Sequence, residues 1–135
     1  MSEQELLADC VRRLNRLGID YLVTGSMASN YWGMPRTTND LDFVIQLRPS
    51  AIAQLVEDFS ADFHADADAI RTAYQPPFQF NFIDLRSSLK VDFWMLQPAP
   101  FDRAAFSRRV QVPILGEKAW MASAEDINHR RLVIG

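Results

Sequence analysis

The sequence predicts an α/β domain of the α+β kind, a mixed and largely antiparallel sheet with helices packed on it. Three observations lead there. Stretches with helical spacing of apolar residues are interleaved with short runs rich in β-branched and aromatic residues. Two pairs of such runs are separated only by tight turn segments, which join antiparallel neighbours. A strand, a short helix and a further strand follow one another between residues 19 and 45.

Taken in order, Ser2 and Glu5 fit a capping box, and Leu6, Leu7, Cys10, Val11, Leu14 and Leu17 recur at helical spacing until Gly18 stops the helix. Ile19 to Thr24 reads as a buried strand, and Gly25-Ser26 turns it into a short helix over Met27 to Trp32 that Gly33 and Pro35 end. Pro49 and Ser50 open a second amphipathic helix whose Ile52, Leu55, Val56 and Phe59 share a face. The Ala/Asp-rich stretch from Ser60 to Asp68 has no clear period, and Asp68 is placed as the cap of a helix running to Tyr74. After Pro76 and Pro77, Phe78 to Leu85 and Leu89 to Leu96 form a hairpin. Phe78, Phe80 and Phe82 lie on one side of its first strand, and Lys90, Asp92 and Trp94 share a face of its second. A helical stretch at 101–106, a last strand pair at 108–115 and 118–122, and a terminal helix capped by Ser123 complete the chain.

Length and charge limit what these elements can do. The 135 residues and the absence of a long linker make one domain, spanning 1–135. A net charge of -3 with no polybasic run argues against a general nucleic-acid-binding surface. Cys10 is the sole cysteine, so an intrachain disulfide or a paired-cysteine metal knuckle is excluded, and a reducing cytoplasmic setting is expected. The amino terminus is acidic and no apolar run reaches the length of a membrane span, so neither export nor insertion is expected.

The stretch from Tyr21 to Ile45 carries the chemistry. Arg36, Thr38, Asp40 and Asp42 recur at every second position, so a strand sets a guanidinium, a hydroxyl and two carboxylates on one face while Leu41 and Phe43 point to the other. Like charges stacked among apolar neighbours need a positive partner, most simply a divalent cation with oxygen ligands. Asp92, inside Lys90-Val91-Asp92-Phe93, is a third such carboxylate, although pairing with Lys90 or Arg36 would also account for it. Asp66-x-Asp68 repeats the spacing among alanines, without a phosphate turn or the glycine and glutamate of a calcium loop. It reads as solvated surface and helix cap. His64 and His129 have no metal-spaced partners. The three tryptophans and nine phenylalanines read mainly as core, with Trp32 or Trp94 as the alternative, a residue stacking on a base near the site.

Gly25-Ser26, thirteen intervening residues, Asp40-Leu41-Asp42, and Asp92 in a later strand resemble the nucleotidyltransferase superfamily, whose palm-like fold is shared with DNA polymerase beta. Within it, Arg36-x-Thr38-x-Asp40-x-Asp42, Lys90-Val91-Asp92 and Ser123-x-Glu125-Asp126 look like the AbiEii-type abortive-infection branch, which includes toxin-like nucleotidyltransferases. The resemblance implies transfer of a nucleoside monophosphate from an NTP to an acceptor hydroxyl on RNA or protein, with Mg2+ or Mn2+ as cofactor. It assigns Asp40, Asp42 and Asp92 as metal ligands and catalytic residues, Asp92 also toward the attacking hydroxyl. Gly25 and Ser26 would cradle the triphosphate, Arg36 and Thr38 would contact phosphate or brace the carboxylates, and Lys90 is a further phosphate contact.

Two departures stand out. Asn128 and His129 replace apolar residues of the family's terminal helix, with Arg131-Leu132 in place of its Lys-Leu, and the helical segment many relatives carry after the palm is short or missing. A second wall is therefore expected from another chain: a homodimer through Trp120, Met121, Leu132, Val133 and Ile134, or an antitoxin partner. The alternatives are a non-catalytic module that keeps the fold as an interaction partner and a phosphohydrolase that uses water as nucleophile.

Overall fold

Helix α1, Glu3–Leu17, starts where the sequence places it. The Ser2 hydroxyl accepts from the Glu5 amide at 3.1 Å and the Glu5 carboxylate accepts from the Ser2 amide at 2.8 Å, satisfying two orphan donors of the first turn. At the other end Gly18 takes the left-handed conformation, φ 70°, and returns its amide to Asn15 and Leu14. The computed structural model describes residues 1–34 and 40–129, the last two through their backbone. Arg36 and Thr38, and the apolar Leu132, Val133 and Ile134, lie outside the described residues.

After α1 the chain runs through β1 (Asp20–Thr24), α2 (Gly25–Tyr31), β2 (Leu41–Gln46), a 3-10 turn at Pro49–Ala51, α3 (Ile52–Phe59), β3 (Phe63–His64) and α4 (Ala67–Thr72). It continues through β4 (Gln79–Asp84), β5 (Lys90–Met95), α5 (Pro100–Ser107), β6 (Val110–Ile114), β7 (Glu117–Met121) and α6 (Ala124–His129). All seven strands join one sheet in the order β3-β4-β5-β2-β1-β7-β6. The β2–β5 and β1–β7 pairings are parallel and the other four antiparallel, which is the mixed, largely antiparallel sheet expected.

One face of the sheet is an aromatic layer. Phe43 stacks on Phe93 at 5.4 Å, Phe93 on Phe80 at 5.0 Å, and Phe59 of α3 lies 5.1 Å from Phe82. Leu6, Leu7, Cys10, Val11 and Leu14 of α1 belong to the same buried core. The alternation of β2 and β5 therefore turns Asp42, Asp92 and Trp94 to the opposite face.

A charged cluster locks α1 to α3 and to the β3–β4 edge. Arg13, 6% exposed, donates from Nε to Asp9 at 3.0 Å and from its terminal nitrogens to the Asp58 carbonyl at 2.8 Å and to Asp62. Arg86 donates to Asp9 at 3.0 Å and to the fully buried Asp84 at 2.7 Å. Burial pushes the Asp9 and Asp84 carboxyls up, but hydrogen bonds and charge from Arg86, Arg13 and Ser87 outweigh it and hold both below their ordinary values.

Several expectations are corrected. The stretch 60–68 contains β3, which pairs with β4 through Phe63 and Asp84. Its two residues are too few for a periodic signal. Asp66, not Asp68, caps α4, accepting from the Asp68 amide at 2.9 Å. Helix α2 begins at Gly25 itself, so β1 passes into the helix without an intervening turn. Phe78 stays outside β4 because its φ of 62° is incompatible with a strand. Met121 is fully buried and Trp120 lies under the Arg109 guanidinium at 4.7 Å, which removes Met121 from any contact surface. Ser123 caps α6 as expected, its hydroxyl accepting from the Asp126 amide at 3.2 Å. Among the described residues no helix is long and apolar enough to cross a membrane.

Candidate active site

The site forms where β1 passes into α2 beside the start of β2. Gly25 has φ +69°, a conformation that favours glycine, and space is as restrictive as conformation. A Cβ there would sit 2.4 Å from Asp42 Oδ2 and 3.1 Å from its Cβ and Cγ. Glycine is thus what lets the Asp42 carboxylate lie against the backbone at the entry to α2, with Ser26 as the next residue, half-buried. Register makes the arrangement definite: Thr24 is opposite Asp42 across β1–β2, and Asp42 is opposite Asp92 across β2–β5.

Asp42 is only 8% exposed, and its Oδ1 accepts from Trp94 Nε1 at 3.4 Å. Asp92 is half-buried; its Oδ1 accepts from Gln79 Nε2 at 3.0 Å and lies 3.7 Å from Lys90 Nζ. Asp40 is exposed and, because β2 begins only at Leu41, lies before the strand on which the sequence places it, near enough for its charge to act on both Asp42 and Asp92. Burial, reinforced by the charges of Asp92 and Asp40 against the opposing pull of Trp94 and Lys90, pushes Asp42 up to about 6. Asp92 is also raised, chiefly by burial and further by Asp40, while Lys90 and Gln79 oppose the shift.

Of the residues singled out from sequence, Gly25, Ser26, Asp40, Asp42, Lys90 and Asp92 are thus brought to one end of the β1–β2–β5 sheet face. Arg36 and Thr38 cannot be placed. Trp94 is used by its N–H on Asp42, and Trp32 donates to the Ala122 carbonyl at 2.9 Å, tying α2 to the end of β7. Asp66 and Asp68 remain at the surface on α4, Asp68 paired with Arg71 at 2.9 Å.

Gln79 was not singled out by sequence reasoning. The signal was present: once Phe80 and Phe82 face the aromatic layer, Gln79 and Asn81 must share the face of Asp92.

The donor chemistry suits a divalent cation. Among the described residues the ionisable groups gathered here are Asp40, Asp42, Asp92 and Lys90; Asp42 and Asp92 are in register, and both are raised above their ordinary values, chiefly by burial. Among the described residues no three His, Cys, Asp or Glu side chains are already drawn in to metal-ligand spacing, so the fit rests on Asp42 and Asp92 with Asp40 alongside.

Two solved structures share this architecture. One is an antigenic nucleotidyltransferase-like protein from Paracoccidioides brasiliensis, with TM-score 0.60 and 19% identity over 95% of this chain and 63% of that one. The fold is that of nucleotidyltransferases. The other, a candidate nucleotidyltransferase from Thermotoga maritima, has TM-score 0.61 and 14% identity over 93% of this chain and 80% of that one. The chain thus spans less than two thirds of the length of the first. No protein-family profile and no curated protein matches the sequence.

Proposed function

We infer that this chain is a divalent-metal-dependent nucleotidyltransferase that moves a nucleoside monophosphate from an NTP to an acceptor hydroxyl. One observation supports this above the rest: two carboxylates on adjacent parallel strands, in register, beside a glycine whose missing Cβ makes room for one of them. Purely structural carboxylates would be expected to meet cations, as Asp9 and Asp84 do at Arg13 and Arg86. Among the described residues Asp42 meets instead an indole N–H and another aspartate.

In the reaction the acceptor oxygen bonds to the α-phosphorus as the bond to the pyrophosphate oxygen breaks, in line with it. Pyrophosphate leaves with the electron pair. The acceptor's proton passes to a carboxylate at the edge of the site. Asp92 suits that task, since it is less buried than Asp42 and its pKa is raised. Bound Mg2+ or Mn2+ would neutralise charge on the triphosphate and lower the pKa of the attacking hydroxyl. Asp40, Asp42 and Asp92 are the residues to hold it. Gly25 admits phosphate oxygens close to the backbone, Ser26 adds a hydroxyl, and Lys90 supplies the site's one described cation. Arg36 and Thr38 are assigned to phosphate or to bracing the carboxylates by the sequence pattern alone.

The toxin-like setting, with RNA or a protein as acceptor, rests on the AbiEii-type pattern of Arg36 to Asp42, Lys90 to Asp92 and Ser123 to Asp126. Incubation with each α-labelled NTP, Mg2+, and either transfer RNA or a purified partner protein tests activity and acceptor together. Label on one acceptor, lost on chelation and in Asp42→Asn, is the expected result. Label recovered as free NMP or NDP, with none on an acceptor, would replace the reading with a phosphohydrolase.

A further inference from the structure

Behind Asp42 and Asp92 lies a second row of side chains on the same sheet face. Trp94 is opposite Val44, and Gln79 is opposite Trp94, so Gln79, Trp94 and Val44 form the row one pleat beyond Asp92 and Asp42. From that row two donors reach back diagonally. Trp94 Nε1 donates to Asp42 Oδ1 at 3.4 Å, and Gln79 Nε2 donates to Asp92 Oδ1 at 3.0 Å. Each carboxylate is therefore tethered at one oxygen by a neutral N–H from the adjacent strand, β5 for Asp42 and β4 for Asp92.

Neutral donors matter here. An Arg or Lys in the same row would form an ion pair with each carboxylate and compete with a cation for its charge, as Arg13 and Arg86 do with Asp9 on the other side of the sheet. An amide and an indole fix direction without adding a positive charge of their own. They also oppose the tendency of two like charges in adjacent register positions to swing apart. Lys90 also approaches Asp92 Oδ1, but it is exposed at the end of a flexible stem and 3.7 Å away.

We propose that Gln79 and Trp94 are positioning residues of the site, pinning one oxygen of Asp92 and of Asp42 so that the pair presents a fixed, charged set of oxygens to a divalent cation. This inference rests on the metal-dependent reading above and adds to it two residues that act through the carboxylates and need not touch substrate.

Mn2+ binding without nucleotide tests it, read from the electron paramagnetic resonance of unbound Mn2+, together with Tm for each protein. The proteins are the wild type, Gln79→Met, Trp94→Phe and Asp42→Asn; Met keeps the length of Gln, and Phe keeps an aromatic ring without the N–H. Wild type should bind, Asp42→Asn should not, and Gln79→Met and Trp94→Phe should each lose about tenfold in affinity, as residues that orient metal ligands do. Gln79→Met and Trp94→Phe binding as tightly as wild type within about twofold, even with a lowered Tm, would overturn the positioning role and leave the metal site standing. A wild type that binds no Mn2+ at millimolar concentration, or an Asp42→Asn that binds like wild type, would overturn the metal reading and this inference with it. The two substitutions lie on different strands, so if one fails to fold the other still decides.

Discussion

Asp42 is the residue on which conformation, burial and charge meet. Its carboxyl is pushed up to about 6 in the folded protein, above its unfolded value, so its contribution to stability is fully present below the unfolded pKa and is lost as pH rises through 6. In the presence of a chelator, Asp42→Asn should therefore match wild type near pH 4 and become more stable than it by roughly 1–3 kcal/mol at pH 7 to 8, a difference urea denaturation at each pH would show. A pH-independent difference would mean that Asp42 is not the group under strain. Gly25 makes the complementary case. Gly25→Ala should lose roughly 1–2 kcal/mol from its left-handed φ alone, and more from contact with Asp42 Oδ2, with the carboxylate displaced; denaturant midpoints measure the first and Mn2+ affinity the second.

Among the elements, the antiparallel hairpins and the capped helices were legible because each carries a local signal: Ser2 with Glu5, Gly18, Ser123, and the alternation of Phe80 and Phe82. The Asp-x-Asp spacing predicts two carboxylates on one strand face, whereas β2 begins at Leu41 and leaves Asp40 exposed before it; the structure adds what no local pattern contains, the parallel register that sets Asp92 beside Asp42. Strand β3 escaped because its pairing is set by β4, and the tether from Gln79 escaped because it depends on cross-strand geometry. The ion cluster around Arg13 was equally invisible, since Asp9, Asp58, Asp62 and Arg86 come from separate elements. Its energetics are testable. Arg13→Ala removes the buried cation that Asp9, Asp58 and Asp62 share and should cost about 3 kcal/mol by urea denaturation. Asp9 and Asp84 are held below their unfolded values, so the stability they provide is present above about pH 4 and disappears as pH falls through their folded pKa values. Wild type should accordingly lose stability as pH falls below about 4, and Arg13→Ala, in which Asp9 has lost one of the cations that lower its pKa, should show a smaller loss over the same range.

For the whole molecule, one sheet divides the labour between its faces. The aromatic layer, α1 and the charged cluster hold the sheet rigid from one side, and the other side can keep two carboxylates close together against their repulsion. The central claim is that this pair, beside Gly25, holds a divalent cation and the triphosphate of an NTP. The measurement that bears on it most directly is the anomalous signal of Mn2+ in crystals grown with a non-hydrolysable NTP analogue. The prediction is a peak about 2.0 to 2.6 Å from oxygens of Asp42 and Asp92, with the triphosphate beside Gly25 and Ser26. Mn2+ and nucleotide bound elsewhere, with Asp42 still hydrogen-bonded to Trp94, would contradict it.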